Sequence, residues 1–200
     1  MKYAVLNLPR VLDTEQNYGN KLVSLLRHPM YAWLGMRPAL AQHTAAEHAA
    51  LKRWAAGRTS LAEIGVAEGV SALALRESMA GDGRLYLIDP FHLSRVPALN
   101  FTKRAARRTV GSSARGRVVW VEKFSHVAAG EWKEPLDLIV IDGDHAEAAV
   151  QMDWDDWSKF VVPRGVAILH DARVFEGGWT TEEAGGTPLR NQGGERSAPI

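Results

Sequence analysis

Residues 60–71 read Ser60-Leu61-Ala62-Glu63-Ile64-Gly65-Val66-Ala67-Glu68-Gly69-Val70-Ser71, and this stretch decides the fold. Its first half, SLAEIGV (60–66), is a short apolar run of strand length with an acid near its end. Its second half is a turn carrying Gly65 and Gly69, and it opens VSALALRESMA (70–80), an amphipathic helix pattern. The two glycines let the backbone bend sharply and approach a ligand with no Cβ in the way. The helix that starts near Gly69 aims its free N–H groups at the same place, where an anionic group is welcome. Glu63 would repel a pyrophosphate there but suits a cationic amino group. The G-x-G-x-x-G fingerprint of dinucleotide binding is absent, which argues against a nicotinamide dehydrogenase. On the glycines alone, an ordinary strand-to-helix turn explains the pattern equally well.

Working outward, RLYLID (84–89), RVVWVE (117–122), LDLIVID (136–142) and GVAILHD (165–171) read as four further strands. Residues 97–110 and 146–160 read as helices, the second with Val150, Trp154, Trp157 and Val161 on one face, and Pro163-Arg164-Gly165 reads as a turn. Short apolar strands alternating with helices predict parallel pairing through right-handed crossovers. Helices on both faces of the sheet account for strands that do not alternate clearly between apolar and polar. Upstream, Thr44-Ala45-Ala46-Glu47 is a capping box that opens a helix through Leu51 and Trp54, ending near Gly57. Residues 1–43, interrupted by Pro9, Pro29 and Pro38, are expected to be an irregular segment with short helices, or a lid. Residues 44–171 form the sheet domain. Residues 172–200, with Gly-Gly pairs at Gly177, Gly185 and Gly193, are expected to be a largely irregular tail.

The chain has 200 residues, 46% of them hydrophobic, and a net charge of +1. This fits one domain with a sizeable core, and it gives no global attraction to nucleic acid or to an acidic membrane surface. The absence of cysteine excludes disulfides and thiolate metal sites. No apolar run approaches the ~20 residues of a membrane span, and the first residues make a poor signal peptide. A cytoplasmic enzyme or binding protein is therefore expected. The basic stretch of Lys103, Arg104, Arg107, Arg108, Arg115 and Arg117 reads as a solvated helix face.

Open α/β sheets bind ligands at the carboxyl ends of their strands. Asp89 ends the second strand, where an acid can accept hydrogen bonds from both hydroxyls of a ribose. Asp142, Asp144 and His145 follow the fourth strand, and His170 and Asp171 end the fifth. Neighbouring parallel strands lie about 5 Å apart, so the two groups should converge. Asp142, His170 and Asp171 offer oxygen and imidazole ligands to a hard or borderline divalent ion, which could lower the pKa of a substrate oxygen. His145 has the chemistry of a general base at neutral pH, and Asp144 is a second base candidate or orients His145. The plain alternative is that Asp142 caps the following helix and His170-Asp171 ends a strand.

The order E-x-G-x-x-x-G, strand, Asp89, strand, then IDGDH and HD resembles class I S-adenosylmethionine-dependent methyltransferases. It is most similar to the bacterial O-methyltransferase-like group called methyltransferase family 24, over roughly residues 44–171. The resemblance implies an α/β, Rossmann-like parallel sheet of about five strands with helices on both faces. It implies S-adenosyl-L-methionine as cofactor, with Glu63, Gly65, Gly69 and Ser71 around its methionine part, Asp89 on the ribose, Ser125 by the adenine and Asp142 beside it. It implies methyl transfer to a hydroxyl of a small-molecule substrate, with His145 as base and Mg2+ or another divalent cation held by Asp142, His170 and Asp171. The sequence departs from the family at Ala67, where a glycine is frequent, and at His170, where a carboxylate or amide is more usual. The two antiparallel strands that commonly follow the fifth strand have no counterpart in the tail pattern. An open edge on the fifth strand would then call for cover by the tail or by a homodimer. It also keeps a non-catalytic or truncated cofactor-binding protein as the alternative.

Overall fold

The computed structural model describes residues 2–6, 28–91, 100–170, 172–175 and 178–181. Six strands form one sheet: β1 (Lys2–Leu6), β2 (Ser60–Ile64), β3 (Arg84–Ile88), β4 (Arg117–Val121), β5 (Leu136–Ile141) and β6 (Val161–His170). Their spatial order is β1-β6-β5-β2-β3-β4, and every pairing is parallel. Helix α1 covers residues 28–34. It is followed by α2 (Ala45–Ala55), α3 (Val70–Ser78), α4 (Phe101–Gly111), α5 (Ser125–Glu131) and α6 (Glu147–Trp157). None of the described helices is long and apolar enough to cross a membrane.

The strands read as unbroken apolar runs because both of their faces are buried. Leu61, Leu85, Leu87, Leu138, Val140, Val166 and Ile168 pack on one side with Leu51, Leu75, Met79 and Val110 of α2, α3 and α4. The intervening residues Ala62, Ile64, Tyr86, Ile88, Ile139, Ile141, Ala167 and Leu169 pack on the other with Ala128 of α5 and Trp154 and Trp157 of α6. Trp157 is completely buried. A side chain of this size contributes roughly 2–3 kcal/mol by leaving water, which fixes α6 against β5 and β6.

Thr44 and Glu47 form the expected capping box at α2: the Thr44 hydroxyl accepts the Glu47 N–H, and the Glu47 carboxylate accepts the Thr44 N–H. Other details differ from the sequence reading. Arg164, at φ 69, lies inside β6 rather than in a turn ahead of it, and the pairing with β5 jumps from Leu136↔Val161 to Leu138↔Val166. Val161 leaves the α6 face to begin that strand. Helix α5 was not anticipated. Its seven residues are too few for a clear apolar period.

Three strands also lie where irregular chain was expected. β1 pairs with β6 from Lys2↔Val166 to Leu6↔His170. The edge for which a homodimer was invoked is therefore covered from within the chain. β7 (Ala172–Phe175) and β8 (Gly178–Thr181) form a separate antiparallel pair, and the main sheet has no antiparallel member.

Candidate active site

The register brings the chemistry-bearing strand ends into one row. Ile64 lies opposite Ile88 and Ile141, and Ile141 lies opposite Leu169. The next residues, Gly65, Asp89, Asp142 and His170, therefore share a rim, two residues beyond Glu63. Backbone bonds carry the order past the strands: Gly65 N–H donates to Ile88 O at 3.0 Å, and Asp142 N–H to Ile64 O at 2.9 Å.

The glycine turn at this rim requires glycine on steric grounds. Gly65 has φ +82, and a Cβ on it would overlap the carbonyl of Asp142. Gly69, at φ +81, is the N-cap of α3 and packs on Ala106 and Val110 of α4. Between them Ala67 also takes a positive φ, 46. The position where a glycine is frequent thus keeps the left-handed conformation with a methyl group in place.

Glu63 ends fully buried, and neither of its carboxylate oxygens accepts a hydrogen bond. Burial pushes its pKa up to about 8; Ser71 pulls the other way, Asp142 and Asp89 push it further up, and His170 draws it down. Asp89 ties the turn to β3: one oxygen accepts the Val66 N–H at 2.9 Å and the other the Phe91 N–H at 2.7 Å. Each oxygen keeps a second lone pair for another donor.

Asp142 and His170 meet as the sequence predicts, with Asp142 Oδ1 3.0 Å from His170 Nδ1. The group that joins them is His145. One donor atom from each of Asp142, His145 and His170 lies within 4.8 Å of the other two. Asp171, expected as the third ligand, lies outside the described residues. Asp144 is exposed, and its Oδ1 accepts the Ala146 N–H at 3.0 Å ahead of α6. Ser125 opens α5 and donates its hydroxyl to Asp153 of α6.

Three acids here escaped the sequence reading. Asp153 is buried beside Ser125 and under Gly143, and burial lifts its pKa to about 6 against the pull of Ser125. Its signal was a carboxylate within the apolar stripe of Val150, Trp154 and Trp157. Glu68, also buried, accepts the Leu40 N–H at 2.8 Å and bonds His28 Nδ1 at 3.0 Å, fastening α1 and the segment after it to the glycine turn. Glu47 was read as a cap only, yet its second oxygen lies 3.8 Å from His170 Nε2. His43 and His48 stack and bond each other at 3.0 Å. The basic stretch is largely solvent-facing as expected, with Arg107, Arg108, Arg115 and Arg117 exposed, but it also makes specific contacts. Arg104 lies over Trp33 and Arg107 over Trp120, while Lys103 and Arg107 both pair with Glu122.

A solved methyltransferase shares this fold. The O-methyltransferase TomG from Streptomyces achromogenes, involved in tomaymycin synthesis and solved with S-adenosylmethionine, superposes with a TM-score of 0.53 at 18% identity, covering 79% of this chain and 67% of that one. The O-methyltransferase from Bacillus cereus, solved with S-adenosylhomocysteine, gives 0.47 at 16% identity, covering 76% and 65%. The N-methyltransferase NodS from Bradyrhizobium japonicum gives 0.43 at 20% identity, covering 62% and 65%. The chain thus spans about two thirds of the length of these structures. A family profile described as "Methyltransferase domain" matches residues 62–172, from within β2 through the end of β6. That match takes in more than half of the sequence and every strand end of the rim, and the chain belongs to methyltransferase family 24.

Proposed function

We propose that this protein is an S-adenosylmethionine-dependent methyltransferase that methylates a hydroxyl of a small molecule. The observation that carries the reading is Glu63: a fully buried carboxyl that the nearby Ser71 relieves only in part, beside a glycine turn into which no side chain fits at Gly65. A buried acid left unsatisfied costs a few kcal/mol, and a cationic amino group delivered to the turn would offset that cost. The residues present therefore fit the methionine end of the cofactor. Asp89 has lone pairs to spare for the ribose hydroxyls, and Ser125, which the resemblance puts by the adenine, donates its hydroxyl to Asp153.

The cofactor, when bound, supplies an already activated methyl group to an in-line acceptor. The chain has to align the acceptor, exclude water and receive one proton. In the ion-free protein His145 is the base for that proton, because its imidazole stands at the rim three residues beyond Asp142. The donor set of Asp142, His145 and His170 also fits a divalent ion, which would supply Lewis acidity toward the acceptor oxygen. The reading of a truncated, non-catalytic protein drew on the missing antiparallel strands, and β1 covers the β6 edge that their absence would leave open.

Calorimetric titration with S-adenosylhomocysteine tests the proposal. Saturable binding is the expected result, and no binding would reject it. Replacing His145 by alanine should then leave this binding intact and reduce methyl transfer to an identified acceptor by about 10²–10⁴-fold.

A further inference from the structure

We propose that Asp153 is a positioning residue for base selection: by taking the hydroxyl proton of Ser125 it makes that oxygen an acceptor only, and so selects a 6-amino purine over a 6-oxo purine. This role rests on the methyltransferase reading, in which Ser125 stands by the adenine; Asp153 itself has no part in that reading.

Asp153 interrupts an apolar face. Helix α6 turns Val150, Trp154 and Trp157 toward the sheet, and Asp153 among them is only 5% exposed. A carboxylate in such a place is costly unless it is hydrogen-bonded. Its partners lie at the rim. Oδ1 accepts the hydroxyl of Ser125, the first residue of α5. Oδ2 lies against Gly143, one residue past Asp142, where a Cβ would stand 3.6 Å from it. Asp153 thus joins the chain after β4 to the chain after β5, at the end of the sheet that carries the glycine turn. Packing alone would be served as well by an apolar side chain of similar size.

The bond to Ser125 has a direction. An ionised carboxylate accepts and cannot donate. Burial lifts the Asp153 pKa only to about 6, against the pull of Ser125, so the group is ionised at about pH 8. The Ser125 hydroxyl therefore directs its one hydrogen to Asp153 and keeps its oxygen for accepting. Ser125 is half-buried, which leaves that oxygen open to a ligand. On the edge of an adenine in a nucleoside the 6-amino group is the hydrogen-bond donor, and the ring nitrogens are acceptors. An acceptor-only hydroxyl pairs with that amino group and opposes the 6-oxo group of hypoxanthine. With Asp153 removed, the hydroxyl rotates and serves either base.

Calorimetric titration of the full chain at about pH 8 provides the test, with S-adenosylhomocysteine and with S-inosylhomocysteine, which carries a 6-oxo group instead of the amino group. The wild-type protein should bind the adenosyl compound roughly tenfold to a hundredfold more tightly, as expected when one acceptor is left facing another. Ser125→Ala should reduce that ratio to about threefold or less. Asp153→Leu should do the same while the melting temperature holds or rises, because leucine continues the apolar face of α6. Asp153→Ala carries the same comparison if the leucine variant does not fold. A merely structural Asp153 would lower both affinities together and keep their ratio. No preference in the wild type, or an unchanged ratio in the variants of either residue, would overturn the role of Asp153. Absence of binding of both compounds rejects the methyltransferase reading and this role with it, whereas equal, saturable binding of both rejects this role alone.

Discussion

The carbonyl of Asp142 occupies the space that a Cβ on Gly65 would need. The two residues are joined through the ladder as well, because Asp142 N–H donates to Ile64 O. Alanine at position 65 would meet backbone rather than a flexible side chain, in a left-handed conformation at φ +82. Gly65→Ala should therefore cost roughly 2–4 kcal/mol of stability and abolish S-adenosylhomocysteine binding. Denaturant unfolding and calorimetry check both parts. A variant of wild-type stability would mean that β2 and β5 can separate at this point, contrary to the register.

Glu63 predicts a pH dependence of stability. In the folded chain its carboxyl stays protonated up to about pH 8, whereas the unfolded group ionises near 4.5. Between those values the folded state binds the extra proton, so stability falls as pH rises, on the order of 1.4 kcal/mol per pH unit from this group alone. The contribution is complete below pH 4.5 and lost by about pH 8. Glu63→Gln should flatten the profile over that window and leave the variant the more stable protein at pH 8.5. Melting curves of both proteins from pH 5 to 9 read the difference; parallel profiles would show that Glu63 is solvated in the folded chain.

How much of this was legible in the sequence depends on chain distance. The β2 to β6 rim could be read because each apolar run ends in a residue out of keeping with it: Glu63, Asp89, Asp142, His170. β1 could not be placed, because Lys2–Leu6 pairs with residues more than 150 positions away and nothing in its own five residues names that partner. The β7–β8 pair was hidden by its glycines, which read as loop. Within the site, His145 was singled out as a base, and the structure sets a donor atom of it near Asp142 and His170. Its approach to His170 depends on the conformation of the IDGDH loop, which residue type does not specify. Asp153 and Glu68 were passed over and Glu47 was read as a cap only, because an acid on a helix or in a turn is usually solvated, and only tertiary packing buried them.

Glu68 gives the segment before the sheet domain a measurable tether. Its two oxygens serve His28 Nδ1 and the Leu40 N–H, holding α1 and the chain after it against the glycine turn. Glu68→Ala removes both acceptors and leaves a partly buried N–H unpaired, a loss of about 1–3 kcal/mol. Hydrogen exchange should accelerate across residues 28–43 while the strands β2, β3 and β5 keep their protection. Unchanged exchange in that segment would assign its anchoring to Arg104 on Trp33 instead.

Ala67 predicts a gain instead of a loss. A non-glycine residue at φ 46 bears a left-handed penalty of about 1–2 kcal/mol. Replacing it by glycine removes that strain but adds about 0.4–1 kcal/mol of unfolded-state entropy to be lost on folding. The difference favours the variant, so Ala67→Gly should be neutral to about 1 kcal/mol more stable, whereas the same exchange at an ordinary surface position destabilises. The substitution also frees the turn between Gly65 and Gly69 from its one methyl group, so S-adenosylhomocysteine affinity should hold or rise. Thermal unfolding with and without that ligand measures both effects. A clear loss of stability would mean that the Ala67 methyl packs well enough to outweigh its own strain.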